Sequence, residues 1–212
     1  MQATKNSLFG EYWRETLNLK TAVMSVMVLA NIAAYTTYNW STFVGTAQPN
    51  VVSWGLWSFI TILSSSSYFK MSGDPWKSVL PTLNCLLSIV TFVVALTNGK
   101  AVGLGLYDQI VLGIGLVACF AWFFTGSAKL TNILVLSAIA IGFIPTYISV
   151  WKNPISERTL SWMLWTICYP LGAWLVLLRW KEKDAKREWA EMAYPVSSLV
   201  FNGAVAVLSL RS

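Results

Sequence analysis

Two asparagines, Asn84 and Asn202, and two tryptophans, Trp57 and Trp165, are the side chains in this sequence best suited to hold a small uncharged molecule. An amide brings donors and an acceptor without net charge, and an indole brings a flat apolar face; together they suit a polar solute built on a ring. Each asparagine follows a proline by one to two helical turns, Pro81 for Asn84 and Pro195 for Asn202, and a proline removes a backbone donor and loosens the helix around it. The plainer role of such an asparagine is to tie two helices together, and that of such a tryptophan is core packing. Both readings stay open at this point. Pro145 and Pro170 are hinge candidates, because each interrupts the backbone ladder inside an apolar stretch.

Groups for bond-making chemistry are scarce. There is no histidine, which removes the commonest general base and the usual axial ligand of haem. Cys85, Cys119 and Cys168 lie apart, each within an apolar stretch, with none of the paired spacing of a metal site. The expectation is a protein that is not an enzyme and needs no metal and no cofactor.

The elements that carry these residues must be helices in a membrane. Apolar residues make up 56% of the 212 and charged residues 11%, with mean hydropathy +0.58, whereas soluble domains run near roughly 25% charged. Seven stretches have membrane-spanning length: Leu19 to Asn39, Val51 to Tyr68, Trp76 to Thr97, Gln109 to Thr125, Leu130 to Val150, Leu160 to Leu178 and Met192 to Leu210. None alternates as a barrel strand would, so all seven are expected to be helical and the fold all-α.

A hexapeptide organises the chain. Residues 53–58 read Ser-Trp-Gly-Leu-Trp-Ser and residues 161–166 read Ser-Trp-Met-Leu-Trp-Thr, 108 residues apart, half the length of the chain. Aligned on it, the first three spans lie over the last three, with one left between. The odd span returns the chain across the bilayer, so the two three-helix units are parallel repeats related by an axis along the membrane normal. The expected division is an amphipathic surface segment (residues 1–19), repeat one (20–98), a linker helix (99–128) and repeat two (129–212). The surface segment is read from Leu8, Phe9, Tyr12, Trp13 and Leu17, which fall on one helical face; a frayed terminus is the alternative. No signal-peptide core precedes it, so no cleavage is expected. Gly113, Gly115 and Ala118 suit the linker to close helix packing. The sign-alternating run from Arg179 to Glu191, with Glu182 and Lys186 four apart, reads as a solvated helical extension of the sixth span.

Lysines and arginines fall unevenly: 11 of the 15 lie on the amino-terminal side of the spans, and Lys100, Lys152, Arg158 and Arg211 lie on the other. This bias expects a cytoplasmic amino terminus and an external carboxyl terminus in an inner or plasma membrane. It also accounts for the net charge of +6, so the basic balance calls for lipid contact and not for a nucleic-acid partner. Trp13, Trp40, Trp76, Trp151, Trp180 and Trp189, near span ends, read as interfacial anchors.

From Ile144 the chain reads Ile-Pro-Thr-Tyr-Ile-Ser-Val-Trp-Lys-Asn-Pro-Ile-Ser-Glu-Arg-Thr-Leu-Ser-Trp-Met-Leu-Trp. A proline near the end of one span, a short polar loop with Lys152, Ser156 and Glu157, and Ser161-Trp162 opening the next resemble the motif of the PQ-loop and SWEET transporter superfamily. The match is local to residues 144–178. The Pro-Gln pair stands here as Pro145-Thr146, and the first half has Thr36-Thr37 with a displaced Gln48-Pro49. The resemblance implies solute transport by rocking of two three-helix bundles, with an asparagine from the third and seventh helices holding a sugar, the roles that fall on Asn84 and Asn202.

The expected function is therefore a facilitator for a small neutral polar solute, such as a sugar or a vitamin-like compound. The alternative is a non-transporting structural or accessory subunit of a larger membrane complex; a homo-oligomer is compatible with either. Asp108 is the one acid expected to be open to burial, but starting the fourth span at Gln109 leaves it at the outer surface. With no carboxylate inside a span, facilitated diffusion is favoured over proton coupling. Ser64 to Ser67 are candidates for wetting a pathway or for easing the end of the second span. A retinal protein is excluded because the seventh span has no lysine for a Schiff base.

Overall fold

The computed structural model describes residues 2–47, 49–100, 103–154, 157–182 and 187–211, with side chains from Asn18 onward. The face of Leu8, Phe9, Tyr12, Trp13 and Leu17, and residues Gln48, Ser156, Lys183 and Lys186, lie outside these limits.

Seven helices follow one another: α1 (Gln2–Phe43), α2 (Val51–Ser72), α3 (Pro75–Asn98), α4 (Leu106–Thr125), α5 (Ala128–Lys152), α6 (Thr159–Trp180) and α7 (Ala190–Ser209). Their starts are set by local chemistry. Asn50, Asp74 and Ser127 each accept a first-turn amide through the side chain, and Gly73 and Gly126 end helices at left-handed φ values of 63° and 62°. Six of the seven are long and apolar enough to cross a bilayer, and Leu29, Val90, Phe123 and Val200 point outward from them, as lipid requires. The architecture is that of an all-α integral membrane protein. The exception is α2, whose 22 residues have the length but carry Ser53, Ser58 and the run Ser64 to Ser67. Ser64 and Ser67 are buried between helices, Ser67 accepting from Asn132 Nδ2 at 3.4 Å, so these two serine side chains serve helix packing.

The packing partners repeat. α1 packs on α3 and α6, and α5 on α7 and α2; α2 packs on α3 as α6 does on α7; α3 meets α6 as α7 meets α2. Exchanging α1, α2 and α3 with α5, α6 and α7 leaves this scheme unchanged. α4 stands outside it, against α5 and α2. A Cβ on Gly115 of α4 would come within 2.7 Å of the Phe59 ring, so glycine permits that approach, whereas Gly113 faces outward.

Contacts between helix ends define two faces. On the carboxyl-terminal face, Asn50 and Lys100 form a backbone bridge, and Arg211 reaches the carbonyls of Val150 and Trp151. Asp108 lies at this face in the first turn of α4, where it accepts the Gly105 amide at 3.0 Å. The amino-terminal face is held by side-chain charge, described below.

The backbone of α1 runs unbroken from Gln2 to Phe43; its 42 residues extend about 63 Å, twice a hydrocarbon core of about 30 Å. Two expectations for the charged run after the sixth span need correction. α6 stops at Trp180, and Lys181 to Glu182 form a turn, so the charged run is not a helical extension. Nor is it simply solvated: α7 begins at Ala190, which takes Glu191 into its first turn, and Glu191 is fully buried. The physical reason is pairing, since the charges that look wet in sequence meet opposite charges from other helices.

Candidate functional site

A cavity of about 360 Å³ lies among α1, α2, α3, α5, α6 and α7 and opens beside the α1–α2 and α5–α6 connections. It is therefore accessible from the carboxyl-terminal face. Asn84, Asn202, Trp57 and Trp165 all line it, from α3, α7, α2 and α6 respectively.

Nine of its 24 lining residues are aromatic. Trp54 and Trp57 come from the first copy of the hexapeptide, and Trp162 and Trp165 from the second; the i, i+3 spacing puts both members of each pair on one helix face. The rings touch across helices. Trp165 meets Tyr35 edge-on at 4.9 Å, Trp54 meets Tyr38 at 5.2 Å, and Trp57 meets Phe143 at 5.3 Å, while within α6 Trp165 also meets Trp162 at 5.1 Å. Sequence reasoning singled out the deeper tryptophan of each copy and missed Trp54 and Trp162, although the same spacing pointed to them. It also missed Tyr35, Tyr38, Tyr169 and Tyr194, which line the cavity but follow no repeat in the sequence.

The two asparagines differ in what they already hold. The Asn84 carbonyl oxygen accepts from Asn31 Nδ2 at 2.9 Å, and its Nδ2 donates to the Tyr194 hydroxyl at 2.7 Å. This joins α1, α3 and α7 at the cavity wall, so Asn84 is a helix tie as well as a lining residue. Asn202 donates to the Ser198 carbonyl of its own helix at 2.8 Å, and its side chain also meets the Tyr169 hydroxyl of α6, a link between two helices where Asn84 joins three. Of the proline hinges, Pro145 lines the cavity, whereas Pro170 is exposed on the outer side of α6.

Two charged residues line the cavity, both at its mouth: Glu157 and Arg158. Glu157 Oε2 accepts from Trp162 Nε1 at 2.9 Å. Burial pushes its carboxyl up from the usual 4.5 to about 7, against the lowering effect of that hydrogen bond. Among the described residues it forms no ion pair.

The opposite end is closed. Glu191 Oε2 accepts from Lys77 Nζ at 2.8 Å and from Trp180 Nε1 at 2.6 Å, while the Glu191 carbonyl accepts from the Tyr68 hydroxyl at 2.9 Å. Both partners of the Lys77–Glu191 pair are buried. Arg179 pairs with Asp74 at 2.7 Å and also with Glu182, which in turn pairs with Lys20. Lys77–Glu191, Arg179–Asp74 and Lys20–Glu182 each join one of α1–α3 or their loops to α6, α7 or the turn between them. Trp180, expected at the lipid interface, is buried here instead, its indole N–H donating to Glu191 Oε2 beside Lys77.

No family model, no curated protein and no solved structure matches this chain.

Proposed function

We propose that this protein is a transporter of the facilitator type, moving a small neutral polar solute such as a sugar or a vitamin-like compound by rocking of α1–α3 against α5–α7, as in the PQ-loop and SWEET superfamily that its sequence resembles. The observation that carries this reading is the cavity wall: both copies of the hexapeptide contribute their tryptophans to one cavity of about 360 Å³ between the two helix triplets. A solute of a ring's dimensions fits a volume of this order, and pockets for small molecules combine apolar walls with a few polar groups in the same way.

The closure supports the same reading. A pathway of alternating access needs one end shut while the other is open. Here the open end is at the carboxyl-terminal face, and among the described residues the ion pairs that span the two triplets lie at the amino-terminal face. With the amino-terminal face cytoplasmic, as the lysine and arginine distribution expects, the cavity is open to the outside.

The test is a thermal-shift screen of sugars, nucleosides and vitamins against detergent-solubilised protein. A ligand at 100 times its dissociation constant adds about 2.7 kcal/mol to stability. A solute that raises the melting temperature of the wild type and fails to do so for Asn202→Ala supports the proposal. A stabilising solute that acts equally on both removes the cavity as its site.

A further inference from the structure

We infer that Glu157 is a proton-binding group of the solute cavity, so that the cavity has a neutral and an anionic form and the proton is a second ligand of the site. The inference rests on the cavity being the solute site, but its test does not.

The argument begins with a break in symmetry. Trp54 and Trp162 are equivalent residues of the two hexapeptides, and each points its indole N–H at an oxygen. For Trp54 this is the neutral Tyr38 hydroxyl, at 3.3 Å; for Trp162 it is the Glu157 carboxylate, at 2.9 Å. The residue that corresponds to Glu157 in the first half, 108 positions earlier, is Pro49. The second copy thus carries two charged residues at the cavity mouth, Glu157 and Arg158, where the first has Pro49 and Asn50.

The surroundings of that acid favour its neutral form. α1 contributes Tyr38, whose hydroxyl is near enough to interact with the carboxylate, and α6 contributes only the Trp162 N–H. Arg158, next in the chain, is exposed and forms no ion pair with it among the described residues. A carboxylate taken partly out of water without a cation is disfavoured relative to the acid, consistent with a carboxyl pushed up to about 7. Protonated, it donates a hydrogen bond to an acceptor oxygen of a neutral solute; ionised, it only accepts. Neutral-solute binding and proton binding at this mouth are then mutually reinforcing.

The sign of the stability effect follows. The folded protein holds this proton more tightly than the unfolded chain does, so stability falls as pH rises from about 4.5 to about 7 and the loss is complete above that. Glu157→Gln keeps an acceptor for Trp162 and cannot ionise. The experiment is the thermal midpoint of detergent-solubilised full-length protein across pH, for wild type and Glu157→Gln, with infrared detection of the protonated carboxyl. The expected result is near-equal midpoints at about pH 5 and a variant that is the more stable by on the order of 5 °C at about pH 8. A carboxylic-acid band present in the wild type at about pH 6 should be absent in the variant. Trp162→Phe, which removes the hydrogen bond to the ionised form, should move the wild-type transition to higher pH. Parallel midpoint curves, or an infrared band unchanged by Glu157→Gln, overturn the inference. None of these readouts uses a solute, so a chain that titrates as described but binds no solute removes the proposed function and leaves the proton site standing.

Discussion

Trp54 and Trp162, the leading tryptophans of two copies of one hexapeptide, face a single cavity from opposite helix triplets and end on different oxygens, the Tyr38 hydroxyl and the Glu157 carboxylate. The ring faces are matched and the polar tips are not. The two walls thus present similar indole rings to the cavity but differ in the group each ring donates to.

The two asparagines should respond differently to truncation. Asn84→Ala leaves Asn31 Nδ2 and the Tyr194 hydroxyl without their partner in a buried setting, which costs about 1 to 3 kcal/mol per group left unsatisfied. Asn202→Ala strands one group of another helix, the Tyr169 hydroxyl, against two for Asn84, so its melting temperature should change less while solute binding falls roughly five- to 150-fold. Thermal unfolding and solute titration on both single variants check this. Equal loss of stability in the two would contradict the distinction.

Trp165 lines the cavity with its ring, but its indole N–H is buried without an acceptor. Trp165→Phe removes that donor and keeps an aromatic face. Melting temperature should therefore hold or rise, since an unpartnered buried donor is a penalty already present. A fall of several degrees would show that the indole N–H has a partner in solution.

The Lys77–Glu191 pair closes the amino-terminal end with both side chains buried. Breaking one side alone, by Lys77→Met or Glu191→Gln, should destabilise strongly, by about 3 to 5 kcal/mol for Lys77→Met, because a buried charge is left alone. The double variant Lys77→Met/Glu191→Gln should recover much of that loss. A double-mutant cycle with no coupling between the positions would show that the pair does not hold the closed end.

Orientation has its own test. A reporter active only in the cytoplasm, fused after the last residue, should be silent, given 11 of 15 basic residues on the amino-terminal side. Activity there would invert the assignment of the open face to the outside.

The number of helices and four lining residues were legible because each signal is local: hydropathy runs, asparagines placed past prolines, and the deeper tryptophan of each hexapeptide. The closed end was not. Glu191 is 114 positions from Lys77, and a charge at the edge of an apolar run looks solvated until the helix that neutralises it is known, so ending the apolar stretch at Met192 left a buried acid outside the membrane. Glu157 was hidden for a related reason, since a loop residue becomes a cavity residue only when α1, α5 and α6 are brought together. The tyrosines were missed because apolar residues surround every face of these helices, so periodicity did not separate the cavity side from the lipid side.

The central claim is that one cavity is reached from both membrane faces in turn. Ser198 is buried on α7 and lines it. A single cysteine, Ser198→Cys, in a background with Cys85, Cys119 and Cys168 replaced by alanine, can be probed with a membrane-impermeant maleimide in vesicles of either orientation. The account predicts rapid labelling from the carboxyl-terminal face, slow labelling from the amino-terminal face, and acceleration of the latter when Glu191→Gln is added. Labelling from the carboxyl-terminal face alone, with or without Glu191→Gln, would contradict it.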